Sequence, residues 1–144
     1  MTTFKVALSG DFRKADGSPT YPSFDLSPLT GNPNIEVVYV DAVDGVMPAA
    51  GLAGCDALIL LVPKFTAASV PADGKLAVVA RFGVGYDSVD VPACTAAGIA
   101  LVITPDGVRR PVAVSILTYI LALTQKLLIK DRPSRRGPGG RAGP

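Results

Sequence analysis

The chain has 144 residues, enough for one ordinary domain, with 49% hydrophobic and 18% charged residues. It has no histidine, and Glu36 is the sole glutamate among 12 acidic residues, which excludes imidazole acid/base catalysis, a His-bearing triad or a His-ligated metal within these residues. The net charge of +2 belongs to the end of the chain: residues 1–130 carry ten Lys and Arg against eleven Asp and Glu, while residues 131–144 carry four Arg against one Asp, so the near-neutral body points to neither nucleic acid nor a membrane as partner.

The N-terminal MTTFKVALSGD has no long apolar run behind its single lysine. It does not read as a signal peptide, and a cytoplasmic protein is expected. FKVALS predicts a first strand at 4–9. Residues 10–34 are rich in proline and glycine and predict a long loop with at most a short helix, a functional or mobile segment by its length. Further strands are predicted at 35–41 (IEVVYVD), 57–63 (ALILLVP), 76–82 (LAVVARF) and 100–104 (ALVIT). The third and fourth are apolar nearly throughout, as strands covered on both faces are. Strands of this kind alternating with helical stretches predict a parallel α/β sheet with right-handed crossovers. Cys55 and Cys94 sit among apolar or small neighbours and read as buried structural thiols.

Between the last two strands lies Arg81-Phe82-Gly83-Val84-Gly85-Tyr86-Asp87-Ser88-Val89-Asp90. It reads as a glycine-rich turn feeding a helix over 87–98, capped by Asp87 or Ser88, with Pro92 in the first turn and Gly98 at the end. Gly83 and Gly85 allow the backbone close to a ligand, and successive N–H groups there make an anion site. The turn is a poor match to the dinucleotide fingerprint GxGxxG, because the sixth position is Ser88 and the turn follows the fourth strand. A small carboxylate suits it better. Arg81 and Lys64 are candidates for positive charge in the same cleft, while Asp87 and Asp90 read as caps.

A long helix is predicted from Arg110 or Pro111 to about Asp131, with proline in the first turn where no hydrogen bond is lost. Arg109 and Arg110 then precede its N-terminus, where positive charge is unfavourable. The helix is apolar on almost every side to Leu123, but the run 112–123 is broken by Ser115 and Thr118 and falls short of the roughly 20 residues that span a bilayer. It is expected to be buried on more than one side. Residues 132–144, RPSRRGPGGRAGP, lack large apolar side chains and predict a disordered basic tail, a composition that a GC-rich message read out of frame also produces.

The run VARFGVGYDSVDVPACTAAGIALVITPDGVRRPVAVSILTYILAL, with LAGCDALILLVPKFTAASVPADGKL upstream, resembles the D-isomer-specific 2-hydroxyacid dehydrogenases. The resemblance covers roughly residues 4–131. It implies a flavodoxin-like substrate domain, a five-stranded parallel sheet with flanking helices, over 1–109, and a long apolar helix over 110–131 leading into a cofactor domain. In that family the N–H groups matching Val84 and Gly85 hold the substrate carboxylate. Pro63 and Lys64 line the cleft with Arg81 and Gly83, and Thr104 matches a position near the nicotinamide. The family's catalytic arginine, acid, histidine and GxGxxG have no matching positions here. The resemblance therefore implies a substrate half truncated before its cofactor domain and inactive alone, binding a small 2-hydroxy or 2-oxo acid weakly and holding neither NAD nor NADP tightly. Val114 replaces an acid frequent in the family's helix, and Leu60, Leu61 and Val62 replace polar residues. The other reading is a stand-alone flavodoxin-like ligand-binding or dimerisation module, forming a homodimer through the apolar helix.

Overall fold

The computed structural model describes residues 3–136. They fall into two compact units, the first ending at Pro105 and the second beginning at Asp106. The first is a five-stranded sheet of β1 (Phe4–Ser9), β2 (Ile35–Val40), β3 (Ala57–Leu60), β4 (Val78–Arg81) and β5 (Ala100–Ile103). Its spatial order is β2-β1-β3-β4-β5, with every pair parallel. This is the α/β architecture that the apolar runs predict. β1 has the predicted bounds, while the other four strands end one to three residues early and β4 begins two residues late; the apolar runs continue into loops that leave the ladder after Leu60 and Arg81.

Side-chain alternation divides the core between the two faces of the sheet. Ala7, Leu58, Leu60 and Val79 face a layer containing Met47, Leu52, Phe65 and Cys94. Two short helices belong to that layer: α2 (Ala49–Leu52) contributes Leu52, and α3 (Val91–Ala96) contributes Cys94. On the other face Val6, Leu8 and Ala57 pack with Phe12, Phe24, Leu26 and Leu29. The predicted loop therefore has a packing role. It holds only a single turn at Gly10–Phe12 and the four-residue helix α1 (Ser27–Thr30), yet it supplies the apolar cover of one face. Gly10 lies so close to β2 that a Cβ there would overlap the Asp41 carboxylate.

The helix after the glycine-rich turn starts later than predicted, and Asp90 is its cap. The Asp90 carboxylate accepts from the Ala93 N–H at 3.0 Å, and Pro92 occupies the first turn. Cys55 and Cys94 are both free and buried, as expected. Burial pushes both thiols above their ordinary value.

The second unit departs most from expectation. Helix α4 spans Pro105–Thr124, five or more residues earlier than predicted. Pro105 takes the position where a missing N–H costs nothing, and Asp106 in the first turn suits the positive end of the helix dipole. Pro111 consequently lies inside the helix, and Arg109 pairs with Asp106 at 3.3 Å on an exposed surface. Lys126, in the left-handed region at φ +51, breaks the helix before α5 (Leu127–Arg135). The first residues of the expected tail are thus helical, with Arg135 donating to Asp131 at 2.6 Å. The remainder of that tail, 137–144, lies outside the described residues.

No side chain of α4 is buried, so the expected cover on more than one side is not met among the described residues. By length and composition alone α4 is long and apolar enough to cross a membrane.

Candidate functional site

The loops at the C-terminal ends of β1, β3, β4 and β5 carry the candidate site. Arg81 ends β4, and its side chain folds back over the following turn, where it donates to the Phe82 carbonyl. The next residue, Gly83, has φ +144, a conformation that L-residues rarely adopt. A Cβ on Gly83 would meet the guanidinium group at 3.0 to 3.7 Å, which measures how closely that charge sits against the turn. The Arg81 Nε is buried without a protein partner.

Thr104, the residue after β5, clasps Gly83. Its Oγ1 accepts from the Gly83 N–H at 2.8 Å and donates to the Gly83 carbonyl at 3.3 Å. The Thr104 N–H donates to that same carbonyl at 2.8 Å. The polar groups of Gly83 are thereby satisfied. By contrast, the N–H groups of Val84 and Gly85 donate to no protein acceptor among the described residues. Both residues are exposed. Two successive N–H groups are thus left without a protein partner directly after Gly83, the residue against which the Arg81 guanidinium lies, and they are the candidate anion nest.

The loop after β3 is brought alongside by backbone pairing. The Phe65 N–H donates to the Ser88 carbonyl, and the Asp90 N–H donates to the Phe65 carbonyl, both at 2.8 Å. Lys64 is held through its backbone, by Gly45 and Met47, and its side chain is exposed, whereas Pro63 is buried. Two residues outside the sequence reading set the start of this loop. The buried Ser9 Oγ accepts from the Leu61 N–H at 3.0 Å, and Asp11 Oδ2 accepts from the Val62 N–H at 2.9 Å. The only sequence signal for them is that polar Ser-Gly-Asp directly follows an apolar strand.

Phe82 is packed from behind. Its ring centroid lies 5.3 Å from that of Phe12, 5.0 Å from Phe24 and 5.9 Å from Tyr21. Residues of the 10–34 segment therefore buttress the residue preceding the nest. A separate polar cleft of about 350 Å³, lined by Gly10, Arg13, Lys14, Ala15, Gly17 and Asp41, includes none of the nest residues. In the second unit, Tyr119, Ala122, Leu123, Lys126, Leu128 and Ile129 line an apolar groove of about 380 Å³.

The described residues contain no group of three or more His, Cys, Asp or Glu able to hold a metal. They also do not fit a dinucleotide. Gly83-x-Gly85 lacks the third glycine, and Asp106, the acid at the ribose-binding distance, lies in the first turn of α4 paired with Arg109.

A family model described as D-isomer specific 2-hydroxyacid dehydrogenase, catalytic domain, matches residues 24–114. D-3-phosphoglycerate dehydrogenase of Mycobacterium leprae is 35% identical over 102 residues, 70% of this chain and 19% of that protein. Glyoxylate reductase of Korarchaeum cryptofilum is 34% identical over 84 residues, 58% of this chain and 25% of that protein. The chain thus spans about a fifth to a quarter of the relatives it matches. The fold recurs in the pyruvate reductase of Chlamydomonas reinhardtii, with TM-score 0.64 and 20% identity over 99% of this chain and 41% of that one. It recurs also in D-lactate dehydrogenase from Escherichia coli, with TM-score 0.61 and 16% identity over 93% of this chain and 42% of that one.

Proposed function

The chain belongs to the D-isomer specific 2-hydroxyacid dehydrogenase family, through its catalytic domain, and from that premise we propose that its first unit is the substrate-binding half of a hydride-transfer site for a small 2-hydroxy or 2-oxo acid. The observation that carries the reading is the pair of unbonded N–H groups at Val84 and Gly85 with the Arg81 guanidinium folded against the same turn. The two N–H groups receive the substrate carboxylate, and Arg81 supplies positive potential. Exposed Lys64, on the loop paired with 88–90, adds charge at the cleft wall, while Pro63 and Gly83 shape its backbone. Thr104 stands on the nicotinamide side.

NAD or NADP, the cofactor of the family, is held by a dinucleotide-binding domain that these residues do not provide. On this reading these residues by themselves bind the acid weakly and transfer no hydride, and the protein acts in the cytoplasm. Titrating the ¹⁵N-labelled chain with glyoxylate tests this: the amide resonances of Val84 and Gly85 move, and Arg81→Met weakens the effect. Shifts confined to other residues, or NADH turnover by the purified chain, count against it.

A second reading rests on a different observation. Eleven large apolar side chains of α4 and α5, Val112 to Ile129, are each more than half exposed. We propose that a second copy of the chain covers them, forming a homodimer through the apolar helix. Sedimentation at micromolar concentration checks this; a clean monomer overturns it.

A further inference from the structure

We propose that Thr104 is a positioning residue for the carboxylate nest, setting through its hydroxyl the direction in which the Val84 and Gly85 N–H groups point. The inference rests on the carboxylate reading of that nest and adds how the nest is kept in shape.

A turn built on glycine has a physical weakness. Glycine loses more conformational freedom on ordering than any other residue, and Gly83 sits at φ +144, where its own preferences do little to hold it. Whatever fixes Gly83 therefore fixes the orientation of the two peptide groups that follow. Upstream, the turn is anchored by the Phe82 N–H donating to Leu60 of β3 at 2.8 Å and by the packing of the Phe82 ring. Downstream, the chain is next anchored by the Val89 N–H, which donates to Tyr86 at 2.9 Å, and by the pairing of Phe65 with Ser88 and Asp90. At Gly83 itself, the long-range anchors are all supplied by Thr104, 21 positions away, and two of the three come from its hydroxyl.

The hydroxyl adds a second partner at both polar groups of Gly83, whose N–H also donates locally to the Arg81 carbonyl at 2.8 Å and whose carbonyl also accepts from the Thr104 N–H at 2.8 Å. One oxygen accepts from the N–H and donates to the carbonyl at once, as serine and threonine can and valine cannot. Thr104 is exposed and its hydroxyl bonds no residue but Gly83. It therefore adds little to the core, and its loss is felt at the nest.

The test uses the full ¹⁵N-labelled chain as wild type, Thr104→Val, Thr104→Ala and Thr104→Ser. Amide hydrogen exchange is measured without ligand, glyoxylate affinity is read from the Val84 and Gly85 resonances, and urea unfolding is followed in parallel. In both hydroxyl-free variants Gly83 exchange is expected to quicken and glyoxylate to bind more weakly, each by about three- to tenfold for the loss of about one net hydrogen bond. The unfolding free energy falls by no more than that one hydrogen bond, about 1 kcal/mol, and Thr104→Ser restores both readouts. Unchanged Gly83 exchange overturns the proposal. So does faster exchange with unchanged affinity, which would make the clasp structural only. If glyoxylate leaves Val84 and Gly85 of the wild type unmoved, the carboxylate reading fails and the positioning role with it. Exchange at Gly83 then still shows whether the hydroxyl holds the turn.

Discussion

The two units of the molecule are built from similarly apolar sequence and treat it in opposite ways. In the first, Leu8, Leu58, Leu60 and Val79 are withdrawn completely from solvent between a sheet and its covering layers. In the second, Leu117, Leu121 and Leu123 are each at least 60% exposed on a single continuous helix. The difference lies in geometry. A sheet offers two faces that short helices and loops can cover locally, while a helix apolar all round needs neighbours on several sides.

Truncation of side chains breaks or sharpens that contrast most strongly. Leu58→Ala, inside the sheet, is expected to lower unfolding stability by about 2–5 kcal/mol. Leu121→Ala, on α4, should change it by less than about 0.5 kcal/mol in the monomer. Paired urea denaturation curves measure both, and similar losses would mean that the two units share one cooperative core. Gly83→Ala comes next, at about 1–3 kcal/mol, because alanine at φ +144 is strained and its Cβ meets the Arg81 guanidinium. Its signature is weakened glyoxylate binding together with reduced stability. Removing the α3 cap with Asp90→Ala should cost about 1 kcal/mol, read from the denaturation midpoint.

The smallest effect is electrostatic and sits at the opposite end of the strands from the nest. The Lys5 N–H and then the Lys75 ammonium hold the Asp56 carboxyl below its ordinary value of 3.8. The N–H groups of Gly54 and Lys75 do the same for Asp73. Their folded forms bind protons less readily than the unfolded chain does. The stability they contribute is therefore fully present above the ordinary carboxylate value and is lost as pH falls through the lowered one. Asp56→Asn should flatten stability between those limits while leaving the curve above pH 5 parallel to that of wild type.

How much of this was legible in the sequence depended on whether the signal was local. The five strands announce themselves as β-branched apolar runs, and the Gly83-x-Gly85 turn announces a backbone that can approach a ligand. The start of α4 was also written locally, in Thr104-Pro105-Asp106, but Pro111 carries the same helix-start chemistry and masked it. What stayed hidden is long-range. Phe24 and Tyr21 in a proline-rich stretch do not reveal that they pack behind Phe82. Ser9 and Asp11 do not reveal that they hold the loop more than fifty positions away. The role of Thr104 at Gly83 depends on β4 and β5 lying side by side, which only the sheet register supplies.

The placement of the cysteines has a practical corollary. Cys55 and Cys94 belong to the same core layer, on one face of the sheet, and the opposite layer of Phe12, Leu8 and Leu61 has no thiol. An alkylating reagent therefore acts as a one-sided clock. It marks the molecule when the face carrying α2 and α3 opens, and it stays silent while the 10–34 segment alone lifts away. The rate of thiol modification, set beside amide exchange at Phe12 and Phe24, would show which side of the sheet lets go first.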